Sequence, residues 1–246
     1  LNMYYLEENN LYINLFGESY FEEVVEGKIV KINQITDFPF DESIAIKIDT
    51  NASFNLFIRK PQYASSINIS SNKNLEIISN EDYYQIRING SCQISYSFDS
   101  EIKVIKTNKN GVYLEKGVLV YSYGMYGNRC IDETEERSSS EFPAFKIYAN
   151  QEFGYALNIN QLNCNFVRRI PKMFDLRDSM PYIELDAYKI TNYDFTRQKR
   201  VRRVKVNWFD NTREIKYEKG DFVFTPDILK QKIEVSNQKK RIRLYP

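Results

Sequence analysis

"KIVKINQITDFPFDESIAIKID", residues 28 to 49, holds two alternating runs and an interruption between them. Ile44, Ile46 and Ile48 recur at every second position, and Val30 and Ile32 do the same ahead of them. Side chains of a β-strand point to opposite faces in turn, so this period predicts two strands that each bury one face. The interruption packs Phe38, Pro39 and Phe40 between Asp37 and Asp41. Pro39 has no N–H to give to a ladder and does not fit a central strand, whereas Asp and Ser favour turns. Two readings compete for this segment. In one, it is the corner of a β-sandwich with its rings turned inward. In the other, Phe38 or Phe40 stacks on a sugar while Asp37 or Asp41 accepts hydrogen bonds from its hydroxyls. The turn chemistry favours the corner.

The same pattern extends in both directions. LYINLF (11–16), FNLFIR (54–59), SINIS (66–70), YQIRI (84–88) and QISYSF (93–98) read as strands, divided by turn pairs such as Glu26-Gly27, Thr50-Asn51 and Asn89-Gly90. With the first two, that makes seven short strands, enough for one sandwich of about 100 residues. A second series follows: IKVIK (102–106), GVYLEKGVLVYSY (111–123), FKIYA (145–149), YALNI (155–159), IELDAYKI (183–190), VRRVKVNWF (201–209) and RIRLYP (241–246). Residues 131–143 and 160–181 read as loops. The expected fold is all-β: two tandem antiparallel sandwiches, residues 1–101 and 102–246, with little helix.

Composition narrows the chemistry. Lys and Arg total 34 against 33 for Asp and Glu, a net charge of +1, so no global field draws the chain onto nucleic acid or an anionic membrane. No apolar run approaches the roughly 20 residues of a membrane helix, and the start, LNMYYLEENN, lacks a basic segment followed by an apolar one. The reading is a soluble chain without a signal peptide, its compartment unknown. The sequence has no His, which removes the commonest general base near neutral pH and the commonest metal ligand. Its three cysteines, Cys92, Cys130 and Cys164, form no C-x-x-C pair, so neither zinc nor a disulfide framework is expected.

The remaining features are read as surface. RQKRVRRVKV (197–206) is the dense basic run, but from Arg203 its charges alternate with Val204, Val206 and Trp208, as on a half-buried strand. Trp208 is kept with Asp37, Phe38 and Phe40 as a candidate carbohydrate contact. Asp132, Glu133, Glu135 and Glu136 read as a solvated loop. Glycosidic hydrolysis needs two carboxyls roughly 5 to 10 Å apart, and 33 acidic residues offer no privileged pair. Glycine-rich phosphate loops are absent, and the Asn-x-Ser triplets at Asn51, Asn68 and Asn89 say nothing of location, since chance explains them in a chain rich in Asn and Ser.

Laid end to end, these segments resemble the C-terminal region of glycoside hydrolase family 127, the β-L-arabinofuranosidase-like group. LYINLFGES (11–19) resembles that family's first strand here. Gly27, Val30, Gln34, Thr36, Asp37, Phe38, Pro39 and Phe40 match a Gly…Gln-x-Thr-Asp-Tyr-Pro-Trp pattern, and Arg59, Pro61 and Tyr63 match an Arg-x-Pro-x-Trp pattern. Further on, GVYLEKGVLVYSYG, FGYAL (153–157), FTPD (224–227) and the terminal IRLYP are similar in the right order, with Val118 where the family has Pro and Phe153 where it has Trp. The resemblance implies that catalysis belongs to an N-terminal (α/α)6 barrel, with a cysteine nucleophile and a zinc held by Cys and Glu. It carries no catalytic residue, cofactor or metal over to this chain. The partners it implies are that barrel and a second copy of the protein, with carbohydrate as the alternative.

Overall fold

The computed structural model describes residues 2–107, 111–124, 127–132, 138–149, 152, 154–171, 179–192, 199–206, 213–219 and 233–246, with 149, 199–206 and 213–219 given as backbone alone. Among them, regular structure is strand apart from a 3-10 turn at Ile159–Gln161 and a single helical position at Ser179. No helix there is long and apolar enough to cross a membrane.

The first part of the chain contributes β1 (Tyr4–Glu7), β2 (Asn10–Ile13), β3 (Ser19–Val25), β4 (Lys28–Ile35), β5 (Ser43–Thr50), β6 (Ser53–Arg59), β7 (Ala64–Ser71), β8 (Ile77–Ser79), β9 (Tyr83–Asn89) and β10 (Cys92–Ser100). They form two five-stranded sheets in the orders β1-β2-β6-β9-β8 and β3-β4-β5-β10-β7. The apolar alternation closes these sheets on each other. Leu11, Ile13, Phe54, Leu56, Ile58, Ile86 and Ile88 from one sheet meet Val30, Ile32, Ile44, Ile46, Ile48, Ile94, Tyr96 and Phe98 from the other in one buried cluster. This is a β-sandwich. Its pairings are antiparallel with one exception: β2 lies parallel to β6, Tyr12 beside Phe57. The β3–β4 hairpin turns at Glu26 and Gly27, both at positive φ, 49° and 74°. That is the conformation a two-residue primed turn demands.

The remainder adds β11 (Ile102–Lys106), β12 (Val112–Lys116), β13 (Leu119–Tyr123), β14 (Gly127–Ile131), β15 (Phe145–Ala149), β16 (Tyr155–Ala156), β17 (Cys164–Val167), β18 (Tyr182–Ile190), β19 (Lys199–Val206), β20 (Arg213–Lys219) and β21 (Val235–Tyr245). A seven-stranded antiparallel sheet runs β11-β12-β13-β21-β18-β16, with β17 also on β18; β14–β15 and β19–β20 are separate two-stranded ribbons. A second core gathers on this sheet from Leu114, Tyr121, Ile183, Leu185, Ala187, Ile242 and Leu244. Its solvent face carries a cross-strand charge ladder: Arg243 Nε lies 3.1 Å from Glu184 and Arg241 Nη1 3.0 Å from Asp186.

Several elements depart from the expected series. Residues 111–123 form two strands, because Gly117 reverses the chain at φ +62°. Part of the expected 160–181 loop is β17, held by pairing with β18. β3, an edge strand with only Val25 buried, shows little alternation to read. Phe153, residues 224–227, Arg197, Trp208, Glu133, Glu135 and Glu136 lie outside the described residues.

Candidate functional site

The turn joining β4 to β5 is built by its own polar groups. Thr36 Oγ1 donates to the Ser43 carbonyl at 2.7 Å and accepts from Phe38 N at 3.0 Å. Phe40 N donates to the Asp37 carbonyl at 2.9 Å, and Asp41 Oδ1 accepts from Ser43 N at 3.0 Å. Short polar side chains that bond their own backbone are what turns this segment. The Phe38–Pro39 peptide is cis.

The turn separates the residues that the sequence groups together. Asp37 is exposed. Phe38, half-buried, packs against the first core, its ring 6.1 Å from Phe16 and 6.2 Å from Phe98. Phe40, also half-buried, instead lines a cleft of about 500 Å³. This volume lies within the range of about 300 to 1,000 Å³ typical of small-molecule sites.

The cleft is the seam between the two cores. Pro39, Phe40, Glu42 and Ser43 form its β4–β5 side; Ser66, Ile67 and Asn68 on β7 and Ser97, Phe98 and Asp99 on β10 add the rest of the sandwich's share. From the other unit come Lys116, Leu119, Tyr121, Phe166 and Arg168. Among its charged residues Glu42 and Asp99 balance Lys116 and Arg168.

Most of these charges already have partners. Lys116 Nζ lies 2.9 Å from Glu42 Oε2 and 3.0 Å from Ser100 Oγ, and stands over the Phe166 ring at 4.9 Å. Glu42 also accepts from the Ser100 amide at 3.3 Å and from the Ser100 hydroxyl. Both side chains of the pair are largely shielded, 14% and 16% exposed. Arg168 pairs with Asp41, and Asp99 accepts from Ser66 Oγ at 3.1 Å. Two nearby phenols feel the site. Burial first, and then the negative charge of Glu42, push the Tyr63 and Tyr121 hydroxyls up to about 12.

The zinc that the resemblance implies belongs to the catalytic barrel, not to the residues described. The sequence has no His, Cys92 is buried while Cys130 is exposed, and among the described residues no three His, Cys, Asp or Glu side chains gather to hold a metal. Glu42, Ser100, Lys116, Phe166 and Arg168 were not visible in the sequence as site residues. The local signals, Glu42 directly after the turn and Lys116 before Gly117, name neither partner.

Residues 10–110 match the family model for the β-L-arabinofuranosidase GH127 middle domain. The match spans 101 of the 246 residues and marks this segment as similar to a GH127 middle domain. No curated protein matches the chain. Solved structures do. A GH127 β-L-arabinofuranosidase from Geobacillus stearothermophilus T6 matches at 17% identity and a TM-score of 0.57, covering 99% of this chain and 32% of that one. A second structure, described as a glycoside hydrolase, matches at 14% identity with a TM-score of 0.58, covering 99% and 34%. A GH127 β-arabinofuranosidase matches at 18% and 0.57, covering 99% and 33%. The likeness shows a shared fold, and the chain spans about a third of the length of these structures. The matched segment takes in all of the first sandwich beyond β1 and includes the β4–β5 turn.

Proposed function

We propose that this chain is the noncatalytic tandem β-sandwich region of a glycoside hydrolase of the β-L-arabinofuranosidase type. In this reading it supports a catalytic (α/α)6 barrel borne elsewhere in a longer protein and takes part in pairing two copies. The observation that carries the reading is the coverage: nearly the whole chain superposes on only a third of each GH127 structure, leaving two thirds of those enzymes without a counterpart here. The cleft supports it too. A glycosidase needs one carboxyl free to give a proton and one free to attack or activate water. Here Glu42 is engaged by Lys116 and Ser100, and Asp99 by Ser66. A packing role is also supported by apolar side chains on and beside the β14–β15 ribbon, where Ile131 is 60%, Ile147 71% and Phe142 78% exposed.

The test is an activity assay of the 246-residue chain on aryl and methyl β-L-arabinofuranosides. No turnover above buffer is expected. Reproducible turnover that disappears on substituting a cleft carboxylate, such as Glu42→Gln, would show that the machinery lies on this chain.

A further inference from the structure

We propose that the cleft at the seam binds a neutral saccharide unit, with Phe40 as its stacking face. The binding site goes beyond the noncatalytic reading and does not depend on it: a chain without turnover either holds a sugar here or does not.

The lining argues for this ligand class. Phe40 is half-buried in the cleft wall, and its ring makes no contact with another aromatic ring or a cation among the described residues. Phe98 is different, being engaged with Phe16, Phe38, Tyr63 and Tyr96. A half-buried ring in a cleft wall, without an aromatic or cationic partner among the described residues, is a surface against which the C–H face of a pyranose or furanose can pack.

Beside it, the register of β10 against β7 and β5 sets Ser97 opposite Asn68 on one side and Ser43 on the other. Residues directly opposite in antiparallel strands have β-carbons about 4.5 to 5.5 Å apart on one face of the sheet. All three line the cleft, and the hydroxyls of Ser43 and Ser97 and the side-chain amide of Asn68 have no hydrogen-bond partner among the described residues. A row of free hydroxyls and one amide, able both to donate and to accept, matches vicinal sugar hydroxyls. The charges of the lining cancel, and Lys116 and Arg168 are taken by Glu42 and Asp41, so nothing favours an anionic ligand.

Titration of the ¹⁵N-labelled 246-residue chain with L-arabinose, D-galactose and D-galacturonate, followed by amide chemical shifts, tests the proposal. Saturable shifts centred on Phe40, Asn68 and Ser97 with a neutral sugar are expected. Phe40→Ala is expected to weaken them about tenfold, the equivalent of about 1.4 kcal/mol, while Phe40→Trp retains them. Asn68→Ala, at an exposed position, is expected to weaken binding without disturbing the fold, and it serves as the second variant if Phe40→Ala does not fold. Shifts that stay linear with all three sugars, saturable shifts confined to another face, or tighter binding of galacturonate than of galactose would each overturn the proposal. An activity assay on the same samples keeps this outcome separate from the noncatalytic reading.

Discussion

Gly117 sits at φ +62°, and a β-carbon added there would lie 3.0 Å from the Glu42 carboxylate and 3.2 Å from the Ser100 hydroxyl. Gly117→Ala therefore strains the backbone and also wedges apart the cluster that joins the cores; the expected loss is about 1 to 3 kcal/mol. Gly27, at φ +74° with nothing within 4 Å, is the control, where only the backbone term of about 1 to 2 kcal/mol applies. Urea denaturation of the two variants separates crowding from conformation. Lys116→Met leaves Glu42 shielded without its cation and is expected to cost about 2 to 3 kcal/mol. In a double-mutant cycle, Glu42→Gln with Lys116→Met should cost less than the sum of the single changes. The two phenols add a pH signature. Tyr63 and Tyr121 are neutral in both states below their ordinary value of 10.0. Above that value the unfolded chain loses these protons first, while the folded chain keeps them to about 12. The folded state binds more protons in that window, so stability falls as pH rises from about 10 to about 12. Denaturation midpoints measured across the window check this. Mutation to Phe at both positions should flatten the slope.

At the scale of elements, period-2 alternation made β4, β5, β6 and β10 legible, since their inward positions are nearly all Ile, Val, Leu, Phe or Tyr. β8 escaped because all three of its residues are exposed, and β17 because its strand character comes from pairing with β18. The turn was legible as a corner from Pro39 and its Asp neighbours. The cleft was not, because its decisive pair, Glu42 and Lys116, is 74 residues apart and only sheet packing brings it together. The parallel β2–β6 pair was equally hidden, and it has a mechanical consequence on the outer face of its sheet. Tyr12 and Phe57 sit side by side with centroids 4.6 Å apart and planes 15° apart, and Tyr83 meets both edge-on at 5.5 and 6.2 Å. Tyr12 and Phe57 turn their faces to each other, so this ladder reinforces the sheet and is poorly placed to stack on a ligand. Phe57→Ala is expected to destabilise the chain by about 1 to 2 kcal/mol, with a Tyr12–Phe57 coupling of about 0.5 to 1.5 kcal/mol in a double-mutant cycle. It should leave any saccharide response at Phe40 unchanged.

At the scale of the whole molecule, the two hydrophobic clusters share no residue: the first is drawn from Leu11 to Phe98 and the second from Leu114 to Leu244. What joins them at the cleft is polar, the Glu42–Lys116–Ser100 cluster and the Asp41–Arg168 pair, over a cavity rather than a continuous apolar interface. Coupling through such a seam is worth far less than a buried core. Each unit should therefore open on its own, with a division near residue 101. Ile46 and Leu185 are both fully buried, one in each core, and truncation of either to Ala is expected to cost about 2 to 5 kcal/mol. In native-state hydrogen exchange, Ile46→Ala should lower protection across β4, β5, β6, β9 and β10 and leave β18 and β21 as they were; Leu185→Ala should do the reverse. If either substitution lowers protection in both sets equally, the seam is stronger than its contacts suggest and the chain folds as one cooperative unit. Lys116→Met would then have to uncouple the two sets, because the Glu42–Lys116–Ser100 cluster is where the larger charge contribution to the joint resides.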